Sequence, residues 1–187
     1  MYSLTLSHVG IYVTDMARMV DFYTRFLGFA IADRGPAPDG EIVFLTRDSR
    51  EHHQLVLISG RPADLPFNLV NQLSLRVDSL ATLKELHEGL KHEAVKEIVT
   101  LTHGNAVSCY FRDPEYNRVE LLIDTPWYVP QPHRHQLDLT LPEDELWALI
   151  EKHVRATPGF SPIAEWRKDM ESRIAKAGAE RRAAQPA

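Results

Sequence analysis

Apolar and polar positions alternate along the first sixty residues in a pattern that changes from strand to helix and back. Alternate apolar residues across positions 9–13 predict a strand with one buried face, and an amphipathic helix follows at residues 16–27. Asp15 is placed to cap this helix and Gly28 to end it. Three further strands are predicted at residues 29–33, 41–46 and 53–58, with a turn-rich loop at 36–40.

The same order of elements recurs after a segment at residues 61–68, where two prolines interrupt every periodic pattern. A strand leads into a helix at residues 80–90, and three more strands are predicted between residues 94 and 123. Laying residues 7–16 on residues 71–80 pairs His8 with Gln72 and Asp15 with Ser79. The chain therefore contains an internal repeat of a strand, a helix and three strands.

A proline-containing segment follows Asp124, and two helices are predicted after it at residues 142–156 and 162–177. Residues 177–187 have no apolar face and are expected to fray. The predicted class is α+β: two βαβββ modules form a curved sheet around a cleft, with a C-terminal helical extension. The expected division is residues 1–60, a linker at 61–68, residues 69–124 and residues 125–187.

The composition argues against nucleic-acid binding, membrane insertion and a nucleophilic cysteine. The formal net charge of −5 gives no electrostatic footprint for nucleic acid. No apolar run of membrane-spanning length and no signal-like N-terminus occurs, so we expect a cytosolic protein without a membrane partner. The single cysteine, Cys109, lies in an apolar strand, which favours a packed core thiol over a nucleophile.

Residues 103–123 contain the chemically unusual position of the sequence. They predict a strand, a tight turn and a second strand, in which Glu120 is a carboxylate within an aliphatic run. An unpaired charge in an apolar layer is prohibitively costly, so a cation, a metal ion or water is expected to meet Glu120. The alternative is a glutamate on the solvated face of a sheet.

His8, Gln72 and Glu120 each lie on the strand face opposite the main aliphatic stripe. If both modules turn that face toward a common cleft, the three side chains converge. Imidazole, amide oxygen and carboxylate suit a divalent ion such as Fe, Mn, Ni or Zn. The alternative for His8 is a hydrogen-bonded histidine on a half-buried strand.

The repeated modules, with LSHVGIYVTD opening the first and YFRDPEYNRVEL closing the second, resemble the vicinal oxygen chelate superfamily, which includes glyoxalases, bleomycin resistance proteins and extradiol dioxygenases. Within it the chain most resembles the type I extradiol ring-cleavage dioxygenases, over roughly residues 4–124. The resemblance implies that His8 and Glu120 are iron ligands and that Tyr110 is the active-site tyrosine. It also implies that His53 assists proton transfer and oxygen activation, and that His103 is a further histidine on the substrate side.

Gln72 departs from the dioxygenase pattern, which places the second ligand histidine at this point. Glyoxalase-type relatives use glutamine as a metal ligand, so loss of the metal is not implied. In the first module the position facing Glu120 falls near Leu55, which cannot ligate, and the glyoxalase pattern is therefore also incomplete.

The leading hypothesis from the resemblance is an extradiol-dioxygenase-like enzyme of aromatic catabolism, with Fe(II) as the expected ion and Mn, Ni or Zn as alternatives. Its partners would be a catecholic aromatic diol and dioxygen. A glyoxalase-like lyase or isomerase and a non-enzymatic small-molecule binding protein are the other hypotheses. The aromatic C-terminal segment must cover either its own sheet or that of a second subunit, and we expect a homodimer in which it braces the interface or the mouth of the cleft.

Overall fold

The computed structural model of the chain describes residues 5–64 and 68–183. It is a mixed α+β structure with two curved sheets and four α-helices, and this confirms the predicted fold class. The described residues form two compact units. One contains residues up to Asn71 together with the turn at residues 113–117, and the other contains residues 72–112 and 118–183.

The first unit is a βαβββ module. Its elements are β1 (Val9–Val13), α1 (Met16–Asp21), which continues as one π-helical turn (Phe22–Phe26), β2 (Ala30–Ala37), β3 (Gly40–Thr46) and β4 (Leu55–Ser59). The strands form one sheet in the order β1-β4-β3-β2, with β1 parallel to β4 and the other pairs antiparallel. The predicted element order is therefore confirmed.

The first helix begins and ends where the sequence predicts. Asp15 caps α1 by accepting a hydrogen bond from the backbone N–H of Arg18, and Gly28 adopts a left-handed φ of 70° after the last helical turn. Met19, Phe22 and Tyr23 bury the apolar face of the helix in the core of this unit. Burial and the nearby Asp113 carboxylate raise the pKa of the Tyr23 hydroxyl, which donates a hydrogen bond to Asp113 Oδ2 over 3.1 Å.

The turn at residues 113–117 is fixed to the start of α1 by the Glu115 carboxylate. Glu115 Oε1 accepts hydrogen bonds from the backbone N–H groups of Thr14 (2.9 Å) and Asp15 (2.6 Å). An ion pair of 3.4 Å joins Glu115 Oε2 to Arg61, and both side chains are largely buried. Backbone N–H groups at the start of a helix have no partner within the helix. A carboxylate at this place accepts hydrogen bonds from them and interacts favourably with the positive end of the helix dipole.

Two boundaries in this unit differ from the prediction. The strand expected at residues 29–33 continues as β2 to Ala37 and passes through Pro36. This is possible because β2 is an edge strand, where a residue without an N–H group is tolerated. The strand expected from residue 53 begins only at Leu55, so His53 lies just before β4.

The second unit repeats the βαβββ order and adds the C-terminal extension. Its elements are β5 (Leu73–Arg76), α2 (Leu80–Leu90), β6 (Lys96–Thr102), β7 (Ala106–Arg112), β8 (Arg118–Asp124), β9 (Trp127–Tyr128), β10 (His135–Gln136), α3 (Glu143–Arg155), β11 (Ser161–Pro162) and α4 (Ile163–Ala183). The five-stranded sheet has the order β10-β6-β7-β8-β5, and β5 runs parallel to β8 as β1 does to β4.

The C-terminal extension packs within its own unit. Strand β10 pairs with the edge strand β6, and the Tyr128 and Trp166 rings stack at 5.4 Å between centroids. Six aliphatic side chains in the described part of the extension are buried: Val129, Leu137, Leu139, Leu146, Ile150 and Val154. The extension therefore covers a core of its own chain, which is the first of the two alternatives derived from the sequence.

The last helix is longer than predicted. Fraying was expected from residue 177, but α4 continues to Ala183, and residues 184–187 lie outside the described part of the chain. Alanine, glutamate and arginine have high intrinsic helix propensity, and this outweighs the cost of Gly178 near the end. The absence of an apolar face in the sequence was therefore a poor guide to where the helix ends.

Candidate functional site

Glu120 lies in the middle of β8 and is only 5% exposed. Its Oε2 atom accepts a hydrogen bond from Gln72 Nε2 at 2.9 Å and from the Ser74 hydroxyl at 2.5 Å. Both of these partners are neutral donors, and the prediction that a cation, a metal ion or water also meets this carboxylate stays a prediction. Hydrogen bonds from an amide and a hydroxyl satisfy its oxygen without supplying any positive charge.

The parallel pairing of β5 with β8 places these donors. Ser74 is the direct partner of Glu120 in the register, and Gln72 precedes Ser74 by two residues, so both can point to the same side of the sheet. Gln72 lies one residue before β5 rather than within it. Sequence reasoning missed Ser74, although its place two residues after Gln72 on the same strand face was a usable signal.

Tyr110 is the partner of Glu120 on the other neighbouring strand, β7. Burial raises the pKa of the Tyr110 hydroxyl to about 12, and the negative charge of the nearby Glu120 carboxylate adds to the rise. His103 Nε2 lies 2.9 Å from the Tyr110 hydroxyl, and the Arg118 guanidinium lies 4.8 Å from the centre of the tyrosine ring. The structure thus brings Gln72, His103, Tyr110 and Glu120 together in the second unit.

His8 and His53 come together in the first unit, with 4.2 Å between their ring centroids. Each lies shortly before a strand, and the two strands, β1 and β4, are parallel neighbours. They line an open cavity of about 370 Å³ together with Gly10, Tyr12, Ile42, Phe44, Val56 and Ile58. Burial is the largest cause of the lowered pKa of His53, and the nearby His8 and His52 rings lower the pKa further.

His52 is a neighbour of this pair that sequence reasoning did not select. Its Nε2 lies 2.8 Å from Asp33 Oδ2, and its Nδ1 lies 2.8 Å from His53 Nδ1. A carboxylate only accepts, so His52 Nε2 carries a proton, and a neutral His52 accepts from the Nδ1–H group of His53. This arrangement leaves the Nε2 lone pair of His53 available as a base.

The position in the first unit that corresponds to Glu120 is Val56, which corrects the prediction of Leu55. Gly10 pairs with Val56 in the parallel register, as Ser74 pairs with Glu120. The error is one residue of register, which moves a side chain to the opposite face of a strand. Valine also has no ligand atom, so the first module offers no second carboxylate at this point.

The chemistry of the predicted metal set can be tested against these contacts. Throughout residues 5–64 and 68–183, no group of three or more His, Cys, Asp or Glu side chains is arranged to hold a metal ion. The predicted set contains a glutamine and only two such residues, His8 and Glu120. In the described part of the chain Glu120 makes no ion pair, so its buried charge lacks a cationic partner. This donor chemistry fits a divalent cation.

The fold and the donor set define a class of protein built from repeated βαβββ modules with a polar site on the sheet. The sequence profile of the Glyoxalase/Bleomycin resistance protein/Dioxygenase superfamily matches residues 5–121, and the chain belongs to this family. The resemblance identified from the sequence is therefore confirmed at the level of the superfamily. No helix in the described residues is long and apolar enough to cross a membrane.

A biphenyl-2,3-diol 1,2-dioxygenase of Rhodococcus globerulus is 30% identical to the chain over 122 residues, which are 63% of this chain and 62% of the relative. The chain thus matches about three-fifths of the length of this relative and of a second biphenyl-2,3-diol 1,2-dioxygenase of the same organism. Among solved structures, a glyoxylase/bleomycin resistance protein/dioxygenase domain from Frankia sp. EAN1pec is 22% identical, with a TM-score of 0.58 over 66% of this chain and 100% of that one. TnmS3, an antibiotic binding protein from Streptomyces sp. CB03234, is 24% identical, with a TM-score of 0.52 over 67% and 99%.

Proposed function

We propose that the protein is a divalent-metal-dependent, extradiol-dioxygenase-like enzyme that cleaves a catecholic aromatic diol with dioxygen. The observation that carries the proposal is the buried Glu120 carboxylate, which has neutral donors, no ion pair among the described residues, and an adjacent Tyr110–His103 hydrogen bond. Similarity to a biphenyl-2,3-diol 1,2-dioxygenase supports this reaction class.

The residues proposed to hold the ion are His8, Gln72 and Glu120. Gln72 donates its amide N–H to Glu120, so its amide oxygen is the atom left for a metal. Imidazole, carboxylate and amide oxygen accommodate Fe(II), Mn, Ni or Zn, and Fe(II) is the choice for dioxygen chemistry. When bound, the ion would supply the redox chemistry that ring cleavage needs, and it would bring diol and dioxygen together.

The proton-handling groups come from this chain. His53 is the proposed base for a substrate hydroxyl, since its lowered pKa favours the neutral ring and its Nε2 lone pair is free for a proton. Tyr110 keeps its proton near neutral pH because its pKa is about 12, so it acts as a hydrogen-bond donor rather than an anion. His103 is the proposed acid–base partner of Tyr110, at 2.9 Å.

One observation favours a second candidate function, a glyoxalase-like lyase or isomerase. Gln72 stands where the dioxygenases have a ligand histidine, and an amide oxygen is a harder donor than imidazole. In this alternative Glu120 would serve as the base that moves a substrate proton. A binding protein without metal is the outcome that remains if neither activity is found.

The experiment is anaerobic reconstitution with Fe(II), followed by elemental analysis and oxygen-uptake measurements with catechol and biphenyl-2,3-diol. We expect one ion per chain and oxygen uptake coupled to a ring-opened product. His8→Ala and Glu120→Ala should greatly weaken ion binding, whereas the control Glu151→Gln on the exposed surface of α3 should not. No ion after reconstitution with Fe, Mn, Ni and Zn would remove both enzyme functions, and a bound ion without oxygen uptake would remove the dioxygenase.

A further inference from the structure

The segment at residues 129–133 lies beyond the residues matched by the family profile, yet it holds His103 from two sides. The backbone carbonyl of His133 lies 2.8 Å from His103 Nδ1. The side-chain amide of Gln131 donates from Nε2 to the backbone carbonyl of His103 over 2.7 Å. Both the ring and the backbone of His103 are therefore fixed by the C-terminal extension.

The contact with His133 sets the tautomer of the His103 ring. A backbone carbonyl has no proton to donate, so His103 Nδ1 must carry the hydrogen of this bond. In the neutral imidazole the lone pair then belongs to Nε2, the atom 2.9 Å from the Tyr110 hydroxyl. A ring fixed in this tautomer can accept a hydrogen bond from the Tyr110 hydroxyl, whereas the opposite tautomer would present an N–H group to Tyr110.

Gln131 keeps the His133 carbonyl in position. Its Oε1 accepts a hydrogen bond from the backbone N–H of His133 over 3.0 Å, and its Nε2 lies 3.2 Å from the carbonyl of Val129. The side-chain amide of Gln131 therefore contacts the backbone at both ends of the segment, Val129 and His133, and the backbone of His103. The segment also packs closely against Gly104, the residue after His103. A Cβ atom at this position would overlap the side chain of Val129.

We infer that Gln131 is a positioning residue, which acts through the His133 carbonyl to hold His103 with Nδ1 protonated and Nε2 directed at Tyr110. Its importance for catalysis rests on the proposed function, but the tautomer of His103 does not. The extension thus has a role in the site besides covering a core.

The test compares Gln131→Ala with Gln136→Ala, a second exposed glutamine on the same extension, by nitrogen-15 NMR of the imidazole rings. In the wild type and in Gln136→Ala, the His103 ring should show one protonated Nδ1 and an unprotonated Nε2. In Gln131→Ala, its shifts should move toward the average of the two tautomers.

Kinetics provide the second readout. If the enzyme cleaves diols, Gln131→Ala should lower kcat about tenfold with little change in KM, since a positioned acid–base group contributes roughly 100-fold or more and its misorientation removes part of that. A wild-type His103 protonated at Nε2 alone, or His103 shifts unchanged in Gln131→Ala, would overturn the inference. Because NMR needs no turnover, an inactive wild-type protein would count against the proposed function and leave this test intact.

Discussion

Replacement of Glu115 by glutamine tests how strongly the turn at residues 113–117 is fixed to the first helix. The carboxylate accepts from the backbone N–H groups of Thr14 and Asp15 and pairs with Arg61, at 8% exposure of its own side chain and 16% of the arginine. In the variant each of these two N–H groups donates to a neutral amide oxygen instead of a carboxylate, and each weaker hydrogen bond lowers the free energy of unfolding by about 1 kcal/mol. Loss of the largely buried ion pair adds about 1 kcal/mol, so we expect the free energy of unfolding to fall by about 3 kcal/mol.

The assay is urea unfolding followed by circular dichroism, with Glu151→Gln as the matched control. Glu151 pairs with Arg155 across one turn of α3, and both side chains are substantially exposed, so the same change there should cost only about 0.3–0.5 kcal/mol. A loss for Glu115→Gln as small as that of the control would refute the reasoning, because it would show that water replaces the carboxylate contacts without penalty.

Two further predictions concern the predicted ligand set and the extension. Gln72→His should restore the dioxygenase pattern and raise the affinity for ferrous iron in an anaerobic titration, and equal or weaker binding would count against the alignment of Gln72 with His8. Truncation after Asp124 removes six buried aliphatic side chains, each contributing about 1.5–3 kcal/mol, and should leave a protein that is insoluble or unfolds at much lower temperature. Sedimentation of the intact chain tests the predicted homodimer, and an unchanged stability and oligomeric state after truncation would exclude both roles of the extension.

The sequence predicts the repeated order of elements well because each module has strong local signals. Alternation over positions 9–13, the cap at Asp15 and the glycine at position 28 all act within a few residues, and all three recur in the structure. The grouping of Gln72 with Glu120 was also predictable, since both positions follow from strand alternation. The relation of His103 to Tyr110 came from the resemblance alone.

What the sequence did not predict depends on register and on contacts between distant segments. Ser74 binds Glu120 because β5 pairs with β8 at one register, and neither strand alone determines it. The choice of Val56 over Leu55 has the same origin, in the pairing of β1 with β4. For α4 the missing apolar face predicted fraying from residue 177, whereas intrinsic helix propensity favoured a longer helix. The helix continues to Ala183, in agreement with propensity.

The contacts of Glu120 bear directly on how an ion would be accommodated. Gln72 and Ser74 both donate to the same oxygen, Oε2, so Oε1 has neither of these donors. Tyr110, the partner of Glu120 on β7, retains its proton at neutral pH and its hydroxyl also lies against His103. A cation that approaches Oε1 would therefore leave the hydrogen bonds from Gln72 and Ser74 intact. These bonds would hold the carboxylate in one orientation, which is the role that supporting hydrogen bonds have for metal ligands in general. Ser74→Ala should consequently weaken ion binding less than Glu120→Ala, since it removes a supporting contact and leaves the ligand.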